Sequence, residues 1–413
     1  MSAPAACSPS RFATEILSAD PESFSFAPRD PAESPLLRPV LQVKDSPKAQ
    51  QDHASLLRAV ELLRSNEPVA IPTETVYGLA ANALSPEAVA KIFLAKGRPS
   101  DNPLIIHVSS IEMLLSILPS ELSHRIPQVY QALIDRHWPG PLTILVPRSS
   151  KIPKQVTGGH DTVAVRFPSH PIARALISLC GFPLAAPSAN TSGRPSPTLA
   201  GHVFADLQGR IPLIIDGGSC DSGVESTVLD GFATPPAILR PGGITYEQIK
   251  AFEGMENVRV YRRDYVDEAL EAAPTTPGMK YRHYSPNVEV VLFEVSSTEG
   301  HLPNEAVLSK RRAMVQTEIT KRLESSPGPI GVLRTWFAAG DTEGGFRYDG
   351  NVAELALGAE SDPHKVAQEL FKGLRELEER KVAYIFVEGI GEKGEGLAVM
   401  NRLRKAASTV VSV

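Results

Sequence analysis

Two hydrophobic periods alternate along most of this chain. Leu56, Leu57, Val60 and Leu63 recur at helical spacing, and Val69-Ala70-Ile71 follows as a short apolar run of strand length. Pro86 marks a helix start ahead of Val89, Ile92 and Phe93, and Leu104–Val108 reads as the next strand. Val129 to Trp138 predicts a helix that Pro139-Gly140-Pro141 stops. Strands are predicted at Leu142–Val146, Thr162–Phe167, Leu213–Ile215 and Ser226–Leu229, with helices between them such as Ile172–Leu179. Leu41-Gln42-Val43 predicts a short strand ahead of all these. Such mixing indicates an α/β domain, bounded here at residues 36–263.

The pattern breaks twice. Residues 1–35 carry Pro4, Pro9, Pro21, Pro28, Pro31 and Pro35 among many Ser and Ala, with no sustained period, and are expected to form a disordered tail. Residues 264–287 are punctuated by Pro274, Pro277, Gly278 and Pro286, which exclude a long helix or strand, yet enclose the polar run Lys280-Tyr281-Arg282-His283-Tyr284-Ser285. From residue 288 the alternation resumes. Val288–Phe293, Ile330–Leu333 and Ala383–Val387 read as strands, Val366, Leu370, Leu374 and Leu377 as one face of an amphipathic helix, and Leu397–Ala407 as a last helix. This predicts a second, smaller α/β domain over 288–413, with no repeat relating the two halves.

Composition narrows the function. A chain of 413 residues suits two or three domains and needs no staples. A net charge of −5 excludes a strongly basic protein that binds nucleic acid by neutralising many phosphates, though not a local basic pocket. Cys7, Cys180 and Cys220 are few and scattered, so neither a disulfide framework nor a cysteine zinc site is expected, and a reducing compartment is. No apolar run is long enough to span a membrane. The first residues lack a secretory pattern, and Glu15, Asp20, Glu22 and Asp30 argue against an acid-poor mitochondrial presequence. A cytoplasmic location is expected, with a mitochondrial pool the lesser alternative. Proline is the outlier, 36 of 413 or about 8.7% against an average near 5%.

The chemistry-bearing runs cluster in the larger domain. Gly389-Ile390-Gly391-Glu392-Lys393-Gly394 matches G-x-G-x-x-G, but too few residues follow for the acidic strand end a dinucleotide site needs, so a Gly-rich turn is expected. No P-loop, HExxH or GxSxG occurs. Pro72-Thr73-Glu74-Thr75-Val76-Tyr77-Gly78-Leu79 packs two hydroxyls, a carboxylate and a phenol behind a strand, where a capped turn is the plainer reading. Lys96 and Arg98, followed by Asn102 and His107, put two cations at a helix C-terminus; they either complement its dipole or clamp a phosphate chain. Ala186 to Thr198 sets Ser188, Asn190, Thr191, Ser192, Ser196 and Thr198 in a proline-fixed loop after a strand, the place where open α/β sheets bind ligands. Arg166 and Arg240 end apolar strands, where burial is costly without an anion.

Taken in order, PTETVYGL, KGRP…NPL…H, VAVRFP, PSANTSGRPSPT, ESTVLD and LRPG resemble the YrdC-like domain of threonylcarbamoyl-adenylate synthases, whose KxR…SxN signature falls on Lys96, Arg98, Ser188 and Asn190. PGMKYRHYSP and GEGLAVMNRLRKAAS resemble the linker and C-terminal domain of the longer members, so the resemblance covers residues 36–413. It implies a twisted mixed sheet with a concave active site, a linker lid over 264–287, and a smaller Rossmann-like α/β domain. It implies a nucleotidyltransferase that condenses L-threonine, bicarbonate and ATP, with Mg2+ accompanying ATP and no metal held by a dedicated cluster. The adenylate then serves a separate transferase complex that modifies tRNAs reading ANN codons, with tRNA bound here weakly or indirectly. By matched position, Thr75, His107, Arg166 and Ser226 fall to threonine. Arg98, Asn102, Thr162, Ser188, Ser196, Arg240 and Tyr284 fall to ATP. Lys96 and Asn190 join Arg98 and Ser188 as the catalytic set. Two rivals stand beside this reading. A hydrogenase-maturation carbamoyl-adenylate enzyme would bring Cys-rich zinc motifs, absent here. A non-enzymatic RNA-binding module would bind in a steeply salt-dependent way without consuming ATP.

Overall fold

In the computed structural model the described residues are 12–122, 125–268, 270, 274–277, 279, 283–294, 305–323, 328–336, 347–348 and 352–413. The strands of the first half are β1 (Glu15–Ser18), β2 (Phe24–Pro28), β3 (Pro39–Val43), β4 (Val69–Ile71), β5 (Gly78–Asn82), β6 (Ile105–His107), β7 (Leu142–Pro147), β8 (Thr162–Arg166), β9 (Leu184–Ala185), β10 (Leu213–Asp216), β11 (Thr227–Asp230), β12 (Ala237–Arg240) and β13 (Arg259–Val260). Its helices are α1 (Pro47–Arg64), α2 (Pro86–Lys96), α3 (Ile111–Ile117), α4 (Gln131–His137), α5 (Pro171–Cys180), α6 (Ala200–Leu207) and α7 (Tyr246–Lys250). The caps explain where the first two begin. Ser46 and Ser85 each accept a hydrogen bond from the third residue on, with Pro47 and Pro86 at the first helical position, and Gly97 closes α2 in the left-handed region.

Eleven of these strands form one mixed sheet in the order β1-β10-β4-β5-β9-β6-β8-β7-β11-β12-β13. Alternation assigns its faces. Ala70, Ile106, Ile144, Val163 and Val165 point into one core with α2, α3, α4 and α6. Val69, Ile71, Leu184 and Leu213 point the other way, under α1 and α5. Those two helices cover only the β1 end of that face. Over β6, β8, β7 and β11 the same face carries Ile105, His107, Ala164, Arg166, Thr143 and Val228. The expected twisted mixed sheet is therefore present, and its uncovered stretch is where the site forms.

The expected disordered tail over residues 1–35 needs correction. Residues 1–11 lie outside the described residues, but residues 12–35 are ordered. β1 pairs in parallel with β10, Glu15 opposite Leu213 to Ser18 opposite Asp216. β2 and β3 form a separate antiparallel hairpin. Phe24 is buried, Ser23 donates to the Asp52 carboxylate at 2.6 Å, and the Arg174 guanidinium lies 3.8 Å from the Phe26 ring centre. Prolines here fall where they cost no ladder bonds, as with Pro21 opening a 3-10 turn and Pro28 and Pro39 at the loop end of the hairpin. Strands this short leave no readable period, and the order comes from partners far away in sequence.

The second half comprises β14 (Glu289–Glu294), α8 (Glu305–Leu323), β15 (Ile330–Arg334), β16 (Arg347–Tyr348), β17 (Val352–Ala356), α9 (Pro363–Glu379), β18 (Tyr384–Glu388), α10 (Gly396–Ala406) and β19 (Thr409–Ser412). Its sheet runs β16-β17-β15-β18-β14-β19, with all but the β16–β17 pair parallel. Val290 and Leu292 pack with α9 and α10, while Val291 and Phe293 pack with α8, so both faces are covered. Numbered along the chain, the parallel strands lie in the order 3-2-4-1-5. That departs from the 3-2-1-4-5 of dinucleotide-binding sheets, and the G-x-G-x-x-G run follows the fourth strand, β18, not the first. It is a turn, as expected.

The halves share a core. Val76 and Val224 of the first half and Tyr284 of the linker pack in one cluster with Leu370, Phe371 and Leu374 of α9. Contact is closest at Gly223, where a Cβ would lie 2.3 Å from the Ala367 carbonyl oxygen and φ is +68°. Polar ties surround it. Arg375 meets the Asp206 carboxylate at 3.0 and 3.2 Å and donates to the Pro195 carbonyl. Arg194 forks onto Glu378 at 3.0 and 2.8 Å. Glu378 also accepts the Asn287 N–H at 2.8 Å, and the Ser285 N–H donates to Gly193 O at 2.8 Å.

Candidate active site

A recess opens on the sheet face that α1 and α5 leave free. Eight of the residues singled out from the sequence line it together: Thr75, Arg98, His107, Arg166, Ser188, Ser226, Arg240 and Tyr284. The sheet explains the convergence. His107 and Arg166 are register partners on β6 and β8, pointing opposite to the core residues Ile106 and Val165. Arg240 ends β12, and Ser226 precedes β11. Ser188 follows β9, so the loop expected to carry ligand groups lines the recess beside residues of the sheet face itself. Pro277, His283 and Tyr284 of the linker also line the recess, and Met279 packs on Ile105, Leu145 and Ala164 beside it. Lys280, Tyr281 and Arg282 lie outside the described residues.

The other five candidates sit behind or away from the wall. Lys96 is fully buried and donates to the carbonyls of Ser188 and Asn190, so its charge holds the Ser188 loop. Burial, then the neighbouring Arg98 charge, push its ammonium pKa well below 10.5. Asn190 donates to the carbonyls of Thr191 and Arg194 at 2.8 and 3.0 Å, tightening the same loop. Asn102 accepts from Arg98 Nη2 at 2.6 Å and aims that guanidinium, which also donates to Pro103 O at 2.8 Å. Ser196 donates to Glu225 at 2.6 Å. Thr162 starts β8 on the Arg166 face, but four residues away, about 13 Å along the strand.

Three charged residues carry weight that sequence reasoning did not give them. Glu74 meets Arg166 Nη2 at 2.5 Å, while Arg166 Nη1 donates to Thr75 Oγ1 at 2.8 Å. The arginine assigned to the threonine carboxylate therefore already has a carboxylate neighbour. Burial alone would raise the Glu74 carboxyl, but the charge and hydrogen bond of Arg166 outweigh it and hold it below its ordinary value. Glu225 lines the recess and pairs with Arg402 of α10 at 2.9 Å. Arg402 shows a signal in the sequence: Ala398, Arg402 and Ala406 recur every four residues, so a buried stripe carries an arginine. Tyr77 of the PTETVYGL run points away and donates to Gly218 O at 2.7 Å.

The protonation states follow from burial and neighbours. Burial, then the Arg166 charge, push His107 down to about 3, so its imidazole is neutral, and its Nδ1 is buried without a hydrogen-bond partner. His283 is likewise pushed to about 3, chiefly by burial. Burial would raise Glu225, but Arg402, Arg240 and the Ser196 hydroxyl together bring it to about 2. Burial and the Glu225 charge raise Tyr284 to about 12, so the phenol keeps its proton.

Three arginines, one neutralised carboxylate and several fixed hydroxyls around a half-closed recess define an α/β enzyme cavity for a polyanion together with a small polar substrate. Comparison with known proteins narrows this. Residues 61–242 match the family model described as telomere recombination, and residues 244–408 match the one described as the C-terminal domain of threonylcarbamoyl-AMP synthase. A threonylcarbamoyl-AMP synthase of Schizosaccharomyces pombe is 44% identical over 96% of this chain and 98% of its own, and one of Pyrococcus abyssi is 45% identical over 84% and 93%. A crystal structure of P. abyssi Sua5 complexed with L-threonine superposes with a TM-score of 0.76 at 39% identity, covering 97% of this chain and all of that one. The chain belongs to the threonylcarbamoyl-AMP synthase family.

Proposed function

We propose that the recess joins L-threonine, bicarbonate and ATP into L-threonylcarbamoyl-adenylate, releasing pyrophosphate and water. The observation that carries this is the convergence of Arg98, Arg166 and Arg240 with Ser188, Ser226, Thr75 and a neutral His107 on one recess. The threonine amine adds to CO2 and gives up one proton, or attacks bicarbonate, whose C–OH bond breaks as the hydroxide leaves with that proton as water; either way a carbamate forms. A carbamate oxygen then attacks the α-phosphorus, and the bond to pyrophosphate breaks. This route needs no protein nucleophile. It needs alignment, charge neutralisation and exclusion of water.

Arg166, Thr75, His107 and Ser226 receive threonine in this reading. A neutral imidazole suits that end, since it adds no positive charge beside the ammonium. In the tautomer protonated on Nε2, its Nδ1 can accept a hydrogen bond from the amine. Arg98, Ser188, Arg240 and Tyr284 face ATP directly. Asn102, Ser196, Lys96 and Asn190 support them from behind, and Thr162 lies farther along β8 for the distal part of the nucleotide. Pro277, Met279, His283 and Tyr284 of the linker lie at the recess and in this reading act as the lid that keeps water from the carbamate.

The residues do not form a resident site for Mg2+. Among the described residues no cluster of three ligating side chains occurs, and the nearby carboxylates, Glu74 and Glu225, are each paired with an arginine. Magnesium accordingly enters with the nucleotide phosphates. The adenylate serves a separate transferase that loads N6 of the adenosine beside the anticodon in tRNAs reading ANN codons. Among the described residues no helix is long and apolar enough to cross a membrane.

Pyrophosphate release from ATP tests the reading. It should require both threonine and bicarbonate, and fall by about a hundredfold or more in Arg98→Ala and Ser188→Ala. Release that ignores threonine, or wild-type rates in both variants, would overturn it.

A further inference from the structure

We propose that Arg402, carried by the second half of the chain, is a positioning residue of the nucleotide site: it neutralises Glu225 and holds it away from the phosphates. The inference rests on the reading that ATP occupies the Arg240 and Tyr284 end of the recess.

Glu225 is the one carboxylate among the residues that line the recess. Both its oxygens are engaged. Oε1 accepts from Ser196 Oγ at 2.6 Å, and Oε2 accepts from Arg402 Nε and Nη2 at 3.0 and 2.9 Å. Arg240 of the wall adds to the field that lowers the Glu225 pKa, but it makes no hydrogen bond to the carboxylate. Its hydrogens go to Ser226 O at 3.1 and 2.9 Å and Ser226 Oγ at 3.1 Å. Arg402 has no solvent exposure, and its Nη1 also donates to the Pro241 carbonyl. One guanidinium therefore ties α10 to Glu225 and to the turn that follows Arg240. That turn already lies against Glu225: a Cβ on Gly242 would come within 2.2 Å of the Glu225 carbonyl oxygen.

The electrostatic consequence is specific. With Arg402 in place the carboxylate is cancelled, and the arginines of the wall remain as the excess charge that a triphosphate meets. Without it, a buried carboxylate stands unpaired beside the polyanion, at short range and in low dielectric, where repulsion is strong. The second half of the chain would thus act on nucleotide affinity through one side chain, although it adds no group to the reacting atoms.

A double-mutant cycle tests this on the full chain, reading the dissociation constant of a fluorescent ATP analogue without threonine, and the KM for ATP and for threonine. Arg402→Met should weaken nucleotide binding by about thirtyfold or more, while the threonine KM stays within about twofold at saturating ATP. Arg402→Lys should fall between, keeping the charge but losing the fork. Glu225→Gln alone should weaken nucleotide binding less than Arg402→Met does, since it leaves no repulsive charge in the recess, while it costs stability by leaving the Arg402 guanidinium short of its counter-charge. Because it removes the repulsive charge, Arg402→Met/Glu225→Gln should bind ATP within about threefold of Glu225→Gln. A mere tie between the halves gives a different result, with both single variants equally impaired and the double no better. That result, or wild-type nucleotide affinity in Arg402→Met, would overturn the proposal. If Arg402→Met fails to fold, Arg402→Lys and the double variant carry the test. A wild-type chain that binds ATP but makes no adenylate from threonine would instead sink the proposed function, and the binding cycle would still read out.

Discussion

Glu74 and Arg166 illustrate how little of a site is decided by residue type. Both were visible in the sequence, yet their 2.5 Å pairing joins a turn and a strand whose two residues are 92 positions apart (166 against 74). Glu74→Gln leaves a buried guanidinium short of its counter-charge, and should cost about 3 kcal/mol of stability in urea unfolding. It should also change the KM for threonine more than that for ATP. The buried histidines predict an acid-sensitive fold. His107 and His283 stay neutral to about pH 3 when folded, whereas an unperturbed imidazole takes its proton near 6.5. Below that value the unfolded chain binds more protons than the folded one, so stability falls as pH drops from about 6.5 toward 3. Below about 4.5 the depressed carboxyls of Glu74 and Glu225 extend the loss with the same sign. Urea midpoints between about pH 7.5 and 5 should decline in the wild type and decline less steeply in His107→Gln. An unchanged slope would mean that His107 is not protected from protons. Lys96 was legible as a cation of the site but not as an inward one, because the same side chain serves a phosphate or two carbonyls, and only the path of the Ser188 loop decides between them.

At the scale of elements, segments with clear apolar contrast were legible and those without it were not. The structure has strands or helices at Val69–Ile71, Pro86–Lys96, Thr162–Arg166, Pro363–Glu379 and Gly396–Ala406, close to where the hydrophobic pattern put them. β5, Gly78-Leu79-Ala80-Ala81-Asn82, escaped because glycine and alanine show no contrast between faces, although Ala80 and Ala81 are both fully buried. β1 escaped because its order comes from pairing with β10, nearly 200 residues downstream. Removing that strand by truncation to residue 20 should bare an edge of β10, lower the melting temperature and promote self-association, measurable by light scattering. The α9 contact predicts a sharper effect. Gly223→Ala meets both a left-handed φ of +68° and the Ala367 carbonyl at 2.3 Å. It should destabilise the chain by about 2 kcal/mol or more and raise protease cleavage near residues 264–287. A neutral Gly223→Ala would show that α9 does not seat there in solution.

On the scale of the whole molecule, the halves are distinct in sheet order but joined in core and chemistry. Val76 lines the recess and belongs to the same hydrophobic cluster as Leu370 and Phe371, so the site cannot open without disturbing the packing of the second half. The two tryptophans report on one half each. Trp138 donates to Leu142 O beside the large sheet, and Trp336 donates to Gly389 O beside the small one. Single-tryptophan variants, Trp138→Phe and Trp336→Phe, should therefore show coincident urea transitions. An earlier Trp336 transition would mean that the second half melts by itself. The sequence could not show this union, since Glu225 and Arg402 are 177 residues apart and neither lies in a run that names the other.

The strand order of the small sheet bears on how the protein comes into being. β14 lies between β18 and β19, and both are made long after it. A ribosome adding about 5–20 residues per second can release the large sheet as a finished unit while β14 still waits for its neighbours. Only when the chain past residue 409 has emerged does the second sheet close, bringing α10 and its arginine against Glu225. The growing polypeptide thus carries a nearly complete recess whose Glu225 waits for its counter-charge until α10 has been made.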